Sequence, residues 1–173
     1  MISIERPGQS SLEIEFILID FEGTLAPDRR VHPKAKDKID LLSKRTKIYI
    51  LVNPPTPALN KGGKGGISAK EKKEEVEERL RKVKAEITYL TEGQASQKKL
   101  DLLRNLGAMR CAAIGNGVDD VPMIREAGFG ICVLGKEGAS PEALKNADVV
   151  FVDVLDALDF LLKPLRQKAT LGL

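Results

Sequence analysis

The chain alternates between short unbroken apolar runs and longer segments in which apolar residues recur every three or four positions. Phe16-Ile17-Leu18-Ile19 is one such run, and it stops abruptly at Asp20. Segments 47–52, 110–114, 131–134 and 149–152 repeat it, and 87–90 is a shorter instance. Strands with helices on both faces read this way, because neither face meets water. Between the runs lie helical periods. A helix opening at Pro33 carries Ala35, Ile39 and Leu42 on one face, and a stripe of Leu100, Leu103 and Leu106 ends at Gly107. Further helices are predicted over 119–127, 141–145 and 155–162. Strand–helix alternation of this kind predicts an α/β fold, a three-layer open parallel sheet. Ahead of it, Ile2-Ser3-Ile4 and Leu12-Glu13-Ile14 alternate apolar with polar around Pro7-Gly8, which predicts an N-terminal β-hairpin.

Segment 53–85 breaks the pattern. Pro54-Pro55-Thr56-Pro57 leads into Lys61-Gly62-Gly63-Lys64-Gly65-Gly66, a loop composition. A nucleotide-cradling loop would need Lys and Ser/Thr where Gly66 and Ile67 stand, so no nucleotide site is read there. Ser68 and Glu71 then form a capping box, opening a helix whose narrow stripe of Val76, Leu80 and Val83 predicts a surface helix docked by one edge.

With 173 residues the sequence reads as one domain, 1–173, with 53–85 as a variable loop-plus-helix segment. No apolar stretch approaches the ~18–20 residues of a membrane span, and the N-terminus lacks a basic start followed by an apolar run. A cytoplasmic protein without a membrane partner is the expectation. The net charge of +3 comes from 61–84, where nine Lys/Arg face five Glu without an aromatic residue. A stripe lacking aromatics argues against nucleic acid and for a solvated helix face, or for a partial lid that draws anions. Cys111 and Cys132 lie in apolar runs and read as buried thiols, and the lone His32 reads as a surface position before a helix.

In open parallel sheets ligands bind beyond the carboxyl ends of the strands. Three strand ends carry chemistry here. Asp20-Phe21-Glu22-Gly23-Thr24-Leu25 puts a carboxylate into the crevice, a glycine where the chain must turn, and a hydroxyl for phosphoryl oxygens. Gly115-Asn116-Gly117-Val118-Asp119-Asp120 adds acids at a second strand end, so that together they offer oxygen ligands of the kind Mg²⁺ uses. Lys99, with Lys98 beside it, opens the helix between the two and can neutralise phosphate charge.

This set resembles the haloacid dehalogenase (HAD) superfamily, whose first motif is Asp-x-Asp-Gly-Thr and whose last is Gly-Asp-Gly-x-Asn-Asp. The likeness is strongest to small archaeal-type soluble proteins related to the phosphorylation domain of P-type ATPases. It extends through Ile114-Gly115-Asn116-Gly117, Gly138-Ala139-Ser140-Pro141-Glu142-Ala143-Leu144, Ala147-Asp148-Val149-Val150 and Lys168-Ala169-Thr170-Leu171, and only 53–97 looks foreign to it. The resemblance implies a HAD-like Rossmannoid fold without a large cap, and an Asp20 nucleophile that forms an aspartyl-phosphate. It further implies Mg²⁺ held by Asp20, the Glu22 carbonyl and the last motif (Asp120 first, then Asp119, with Asn116 at the usual acidic place). Lys99 would steady the nucleophile, Glu22 would act as acid and base, and Gly23, Thr24 and Asn53 would bind substrate.

The sequence departs from the family at three places. Glu22 is one methylene longer than Asp, Val52 stands where a hydroxyl is expected with Asn53 following it, and Asn116 replaces an acid. The expected function is a Mg²⁺-dependent phosphohydrolase acting on a phosphorylated small molecule or phosphoprotein. Its rival is a weakened HAD-like regulatory or binding module that holds Mg²⁺ or phosphate without efficient turnover. The lack of a cap suits a bulky substrate or closure by another subunit, so an oligomer is left open.

Overall fold

The computed structural model describes residues 1–55 and 68–172. The lysine–glycine loop 61–66 falls outside them, as do Lys61 and Lys64 of the expected lid.

A two-stranded antiparallel hairpin, β1 (Ile2–Arg6) and β2 (Gln9–Ile14), precedes a six-stranded parallel sheet. The sheet comprises β3 (Phe16–Asp20), β4 (Lys47–Val52), β5 (Glu86–Tyr89), β6 (Cys111–Gly115), β7 (Phe129–Val133) and β8 (Val149–Phe151). Its order is β5-β4-β3-β6-β7-β8. The chain therefore builds outward from β3 on one side, then returns to build outward on the other. The reversal lies between β3 and β6, and an open parallel sheet leaves a crevice at that point.

The continuous apolar runs supply both faces at once. Ile17, Ile19, Ile48, Ile50 and Val52 face one layer with α1 (Pro33–Leu42), α2 (Ala69–Arg79) and α6 (Val154–Leu162). Leu18, Tyr49 and Leu51 face the other, against α3 (Ala95–Leu106) and α4 (Val121–Glu126). This is the three-layer α/β fold expected from the pattern, hairpin included. Ala35, Ile39 and Leu42 are all buried. So are Cys111 and Cys132, whose thiols burial pushes up to about 11, leaving them inert. His32 caps α1, its Nδ1 accepting from Lys34 N–H at 3.1 Å. Ser68 and Glu71 exchange the two bonds of the capping box, and Val76 and Leu80 dock the helix they open. Asp119 and Asp120 sit in a single 3₁₀ turn before α4, where a continuous helix was expected from residue 119. No helix among the described residues is long and apolar enough to cross a membrane.

Two short helices complete the chain, α5 (Pro141–Asn146) and α7 (Pro164–Leu171). Helix α7 joins the body through Asp159 of α6, which pairs with Lys38 of α1, with Lys163 at 2.9 Å and with Arg166 at 3.7 Å. Burial would raise the Asp159 carboxyl, but Lys38 and Lys163 overcome this and hold it below its ordinary value. A carboxylate depressed in the folded state stabilises at neutral pH and loses that contribution as pH falls through the folded value. Asp159→Asn is therefore expected to cost about 1 kcal/mol at pH 7, a shift of ~2–4 °C for a chain of this size. The gap between variant and wild type should close below about pH 4, as read by thermal melts across pH.

Candidate active site

Asp20 ends β3 and is almost wholly enclosed, at 2% exposed. The chain turns at once: Leu25 N–H returns to Asp20 O at 3.2 Å and Ala26 N–H to Phe21 O at 2.8 Å. Gly23 makes this turn with φ +74°, and a Cβ there would stand 2.8 Å from Asn116 Nδ2. Both the backbone and the space call for glycine.

On the adjacent strand, β6 ends at Gly115 and the following turn brings Asp120 back over it. A Cβ on Gly115 would lie 2.5 Å from Asp120 Cγ. Asp120 Oδ2 accepts from Asn116 and Gly117 N–H, both at 2.9 Å, and this fixes the carboxylate. Lys99, fully buried on α3, closes the arrangement by donating to Asp20 Oδ1 and to Asp120 Oδ1, each at 2.7 Å. Lys98 points to solvent, so the lysine of the site is Lys99. The Lys99 bond goes to Oδ1, and no hydrogen bond among the described residues reaches Asp20 Oδ2. One oxygen of this carboxylate is held and the other is open.

The electrostatics follow from this burial. Desolvation first, and then the charge of Asp120, raise the Asp20 carboxyl well above the usual range, with Lys99 opposing. Burial alone would lower the Lys99 ammonium, but the two carboxylates outweigh it and hold it above an ordinary lysine. Two buried acids thus share one buried cation.

The remaining predicted residues surround this trio. Thr24 donates its hydroxyl to Asn116 Oδ1 at 3.0 Å, and Asn116 Nδ2 donates to Gly138 O at 3.0 Å. Asn116 ties the turns after β3, β6 and β7 together, which needs a donor and an acceptor on one side chain; an Asp could not supply both. Asp119 is exposed, lining a separate cleft with Asn53 and the start of α3. Val52 is wholly buried at the end of β4. Asn53 donates its backbone N–H to Glu22 Oε2 at 2.9 Å, while its side-chain Oδ1 is buried without a partner among the described residues.

Glu22 is turned toward α2. Lys72 Nζ lies 2.6 Å from its Oε1 as an ion pair and also donates to Pro54 O at 3.3 Å. Lys72 was not singled out from the sequence, where it disappears among the charges of 61–84. The signal was its place one turn before Val76, on the docked edge of α2 rather than on its solvated face.

The comparisons with known proteins bear on the fold. No family model matches the sequence. An uncharacterized protein of Methanocaldococcus jannaschii is 48% identical over 58 residues, a match spanning 34% of this chain and 62% of that protein, less than two thirds of the relative's length. Among solved structures, 3-deoxy-D-manno-octulosonate 8-phosphate phosphatase of Moraxella catarrhalis, in complex with magnesium, phosphate and the sugar acid, superposes with a TM-score of 0.64 at 17% identity, covering 92% of each chain. The cobalt-bound form of the corresponding phosphatase from Haemophilus influenzae superposes with a TM-score of 0.62 at 14% identity, covering 92% of this chain and 90% of that one. At such identities the likeness is one of fold. The described residues have the HAD-like Rossmannoid architecture, with no large cap among them.

Proposed function

We propose that this protein is a Mg²⁺-dependent phosphohydrolase of the HAD type, working through an aspartyl-phosphate on Asp20. The observation that carries the reading is the buried Asp20–Lys99–Asp120 trio at the reversal of the sheet, with Asp20 Oδ2 left open. Catalytic sites are where such costly clusters of shifted carboxylates are kept. The phosphatases of the same fold, solved with magnesium or cobalt, add weight to it.

The donors fit Mg²⁺. They are oxygens only, and Mg²⁺ needs one or two carboxylates, taking its other ligands from water and substrate phosphate. Among the described residues no three His, Cys, Asp or Glu side chains are gathered to hold an ion by themselves, so water and substrate phosphate would have to complete the shell. Asp20, Asp120 and the Glu22 carbonyl would hold the ion. Asn116 is committed to Thr24 and Gly138, and Asp119 lies at the rim. When bound, the ion neutralises charge on the phosphoryl oxygens.

The chain's own groups do the rest. Asp20 Oδ2 attacks phosphorus while Lys99 holds Oδ1 and balances charge. The bond to the leaving oxygen breaks, and Glu22, released from Lys72 and having taken a proton from solvent, gives that proton to the leaving oxygen. Glu22 then takes a proton from water as the water attacks the aspartyl-phosphate, releasing inorganic phosphate and restoring Asp20.

Val52, with no hydroxyl to offer, and the Lys72 pairing of Glu22 favour a second reading, a module that binds Mg²⁺ and phosphate with little turnover. Turnover of an aryl phosphate with and without Mg²⁺, together with beryllofluoride binding, separates the two. Mg²⁺-dependent turnover is the expected result. Beryllofluoride binding without turnover would support the module, and neither response would sink both.

A further inference from the structure

The turn after β3 continues into a second feature that the Asp20 chemistry does not use. Asp28 and Arg29 both adopt left-handed backbone, at φ +50° and +60°. Each non-glycine residue there costs about 1–2 kcal/mol. The strain is held from two sides: Asp28 N–H donates to Glu137 Oε1 at 2.7 Å, and the Arg29 guanidinium pairs with Glu75 of α2. Glu75 is itself oriented by Arg79 at 2.9 Å. Between this turn and α2 lies a cleft of about 230 Å³, beginning at Glu22 and Gly23. Phe21 and Val76 give it apolar walls, while Arg29, Lys72, Glu75 and Glu137 place donors and acceptors around it.

We propose that this cleft receives the leaving group of the phosphomonoester, that its occupant is a small polyhydroxylated one, and that Arg29 and Glu75 determine that specificity. The inference rests on the phosphohydrolase reading and narrows its substrate class. Position supports it, because the cleft opens beside Glu22, the group assigned to protonate the departing oxygen. Size supports it too: the cleft is below the ~300–1,000 Å³ of pockets for drug-sized ligands, enough for a few carbons or one sugar ring and too small for a folded protein segment. Its chemistry selects the class. Carboxylates accept from O–H groups, guanidinium and ammonium groups donate to hydroxyl lone pairs, and the apolar walls suit a C–H face. The strained turn is a further sign, since such backbone persists where surrounding contacts over-determine it, as ligand clamps do.

The test compares kcat/KM with Mg²⁺ for acetyl phosphate (whose leaving group is too short to fill the cleft), hexyl phosphate, a hexose 6-phosphate and a phosphoserine peptide. The hexose ester is expected to exceed hexyl phosphate by at least about tenfold, since a site built to bond hydroxyls rejects analogues that lack them. Arg29→Met and Glu75→Gln should each lower the ratio of hexose ester to acetyl phosphate about tenfold. A ratio unmoved by both variants, or a phosphopeptide that outruns every small ester, overturns the proposal. Calorimetric binding of the hexose ester to Asp20→Asn protein reads the cleft without turnover. Binding lost on adding Arg29→Met supports the pocket even if acetyl phosphate turnover fails and the phosphohydrolase reading with it; no binding at millimolar ester overturns the pocket alone.

Discussion

Lys99→Met is expected to lower the melting temperature by about 10 °C and to abolish turnover. The size of the effect follows from what the ammonium separates. Asp20 and Asp120 are both about as buried as a core leucine, and each has one oxygen 2.7 Å from Lys99 Nζ. Methionine fills the same volume but leaves two buried carboxylates facing each other. Removing one partner from a buried ion cluster costs ~3–5 kcal/mol, because the charge that remains has lost both water and counter-charge. A divalent cation can replace part of that neutralisation. Mg²⁺ should therefore raise the melting temperature of Lys99→Met more than that of the wild type, by ligand linkage. Thermal melts with and without Mg²⁺ check both parts. A variant that melts with the wild type, or that Mg²⁺ stabilises no better, would show that Lys99 is not the counter-charge of this pair.

Asp20→Asn is expected to move activity and stability in opposite directions. Losing the proposed nucleophile should reduce turnover by at least about 10⁴-fold, with beryllofluoride binding lost as well. Stability should rise by about 1 kcal/mol at pH 7 in the absence of Mg²⁺, as when a strained functional group is neutralised. The sign follows from the raised Asp20 carboxyl. A carboxyl whose folded value lies above its unfolded value favours folding in acid and loses that contribution as pH rises through the folded value. At neutral pH the wild type bears that loss, whereas the amide does not titrate and still offers Lys99 an acceptor. The advantage of the variant should shrink as pH falls toward the ordinary carboxylate range of about 4. Equal melting temperatures at pH 7 would refute the stability half without touching the catalytic half.

Most of the sheet was legible because its strands are buried on both sides and read as unbroken apolar runs. The edges blurred where glycine interrupts a run. Strand β7 starts at Phe129, two residues before the predicted 131, because Gly130 hides the continuity; a Cβ there would meet Ile124 O at 2.4 Å. Helix α7 was not predicted as an element. Its sequence shows no apolar stripe: Leu165 is exposed, and the buried residue is Gln167, whose amide donates to Phe160 O at 2.9 Å. Such a dock is held by a polar contact, which periodicity cannot reveal. At the site, Asp20, Lys99 and Asp120 were readable from residue type and from position at strand ends and a helix start. The pairing of Glu22 with Lys72 was not, because it depends on where α2 lies over the crevice. The place expected for the Asn53 side chain was also illegible, since its backbone N–H is committed to Glu22.

The reversal of strand order between β3 and β6 also governs when the site can exist during folding. Phe16 lies opposite Cys111. Half of the sheet, β3 to β5, can pair from local crossovers, while its union with β6 closes a much longer loop and forms a contact of high sequence separation. Asp20 is thus made early in synthesis, but its cation and second acid arrive only with the later half of the chain. A stalled or truncated chain ending before residue 99 would carry Asp20 without either partner, and one ending before residue 120 would still lack the second acid. Assembly of the charge trio is therefore a late report that both halves of the sheet have joined.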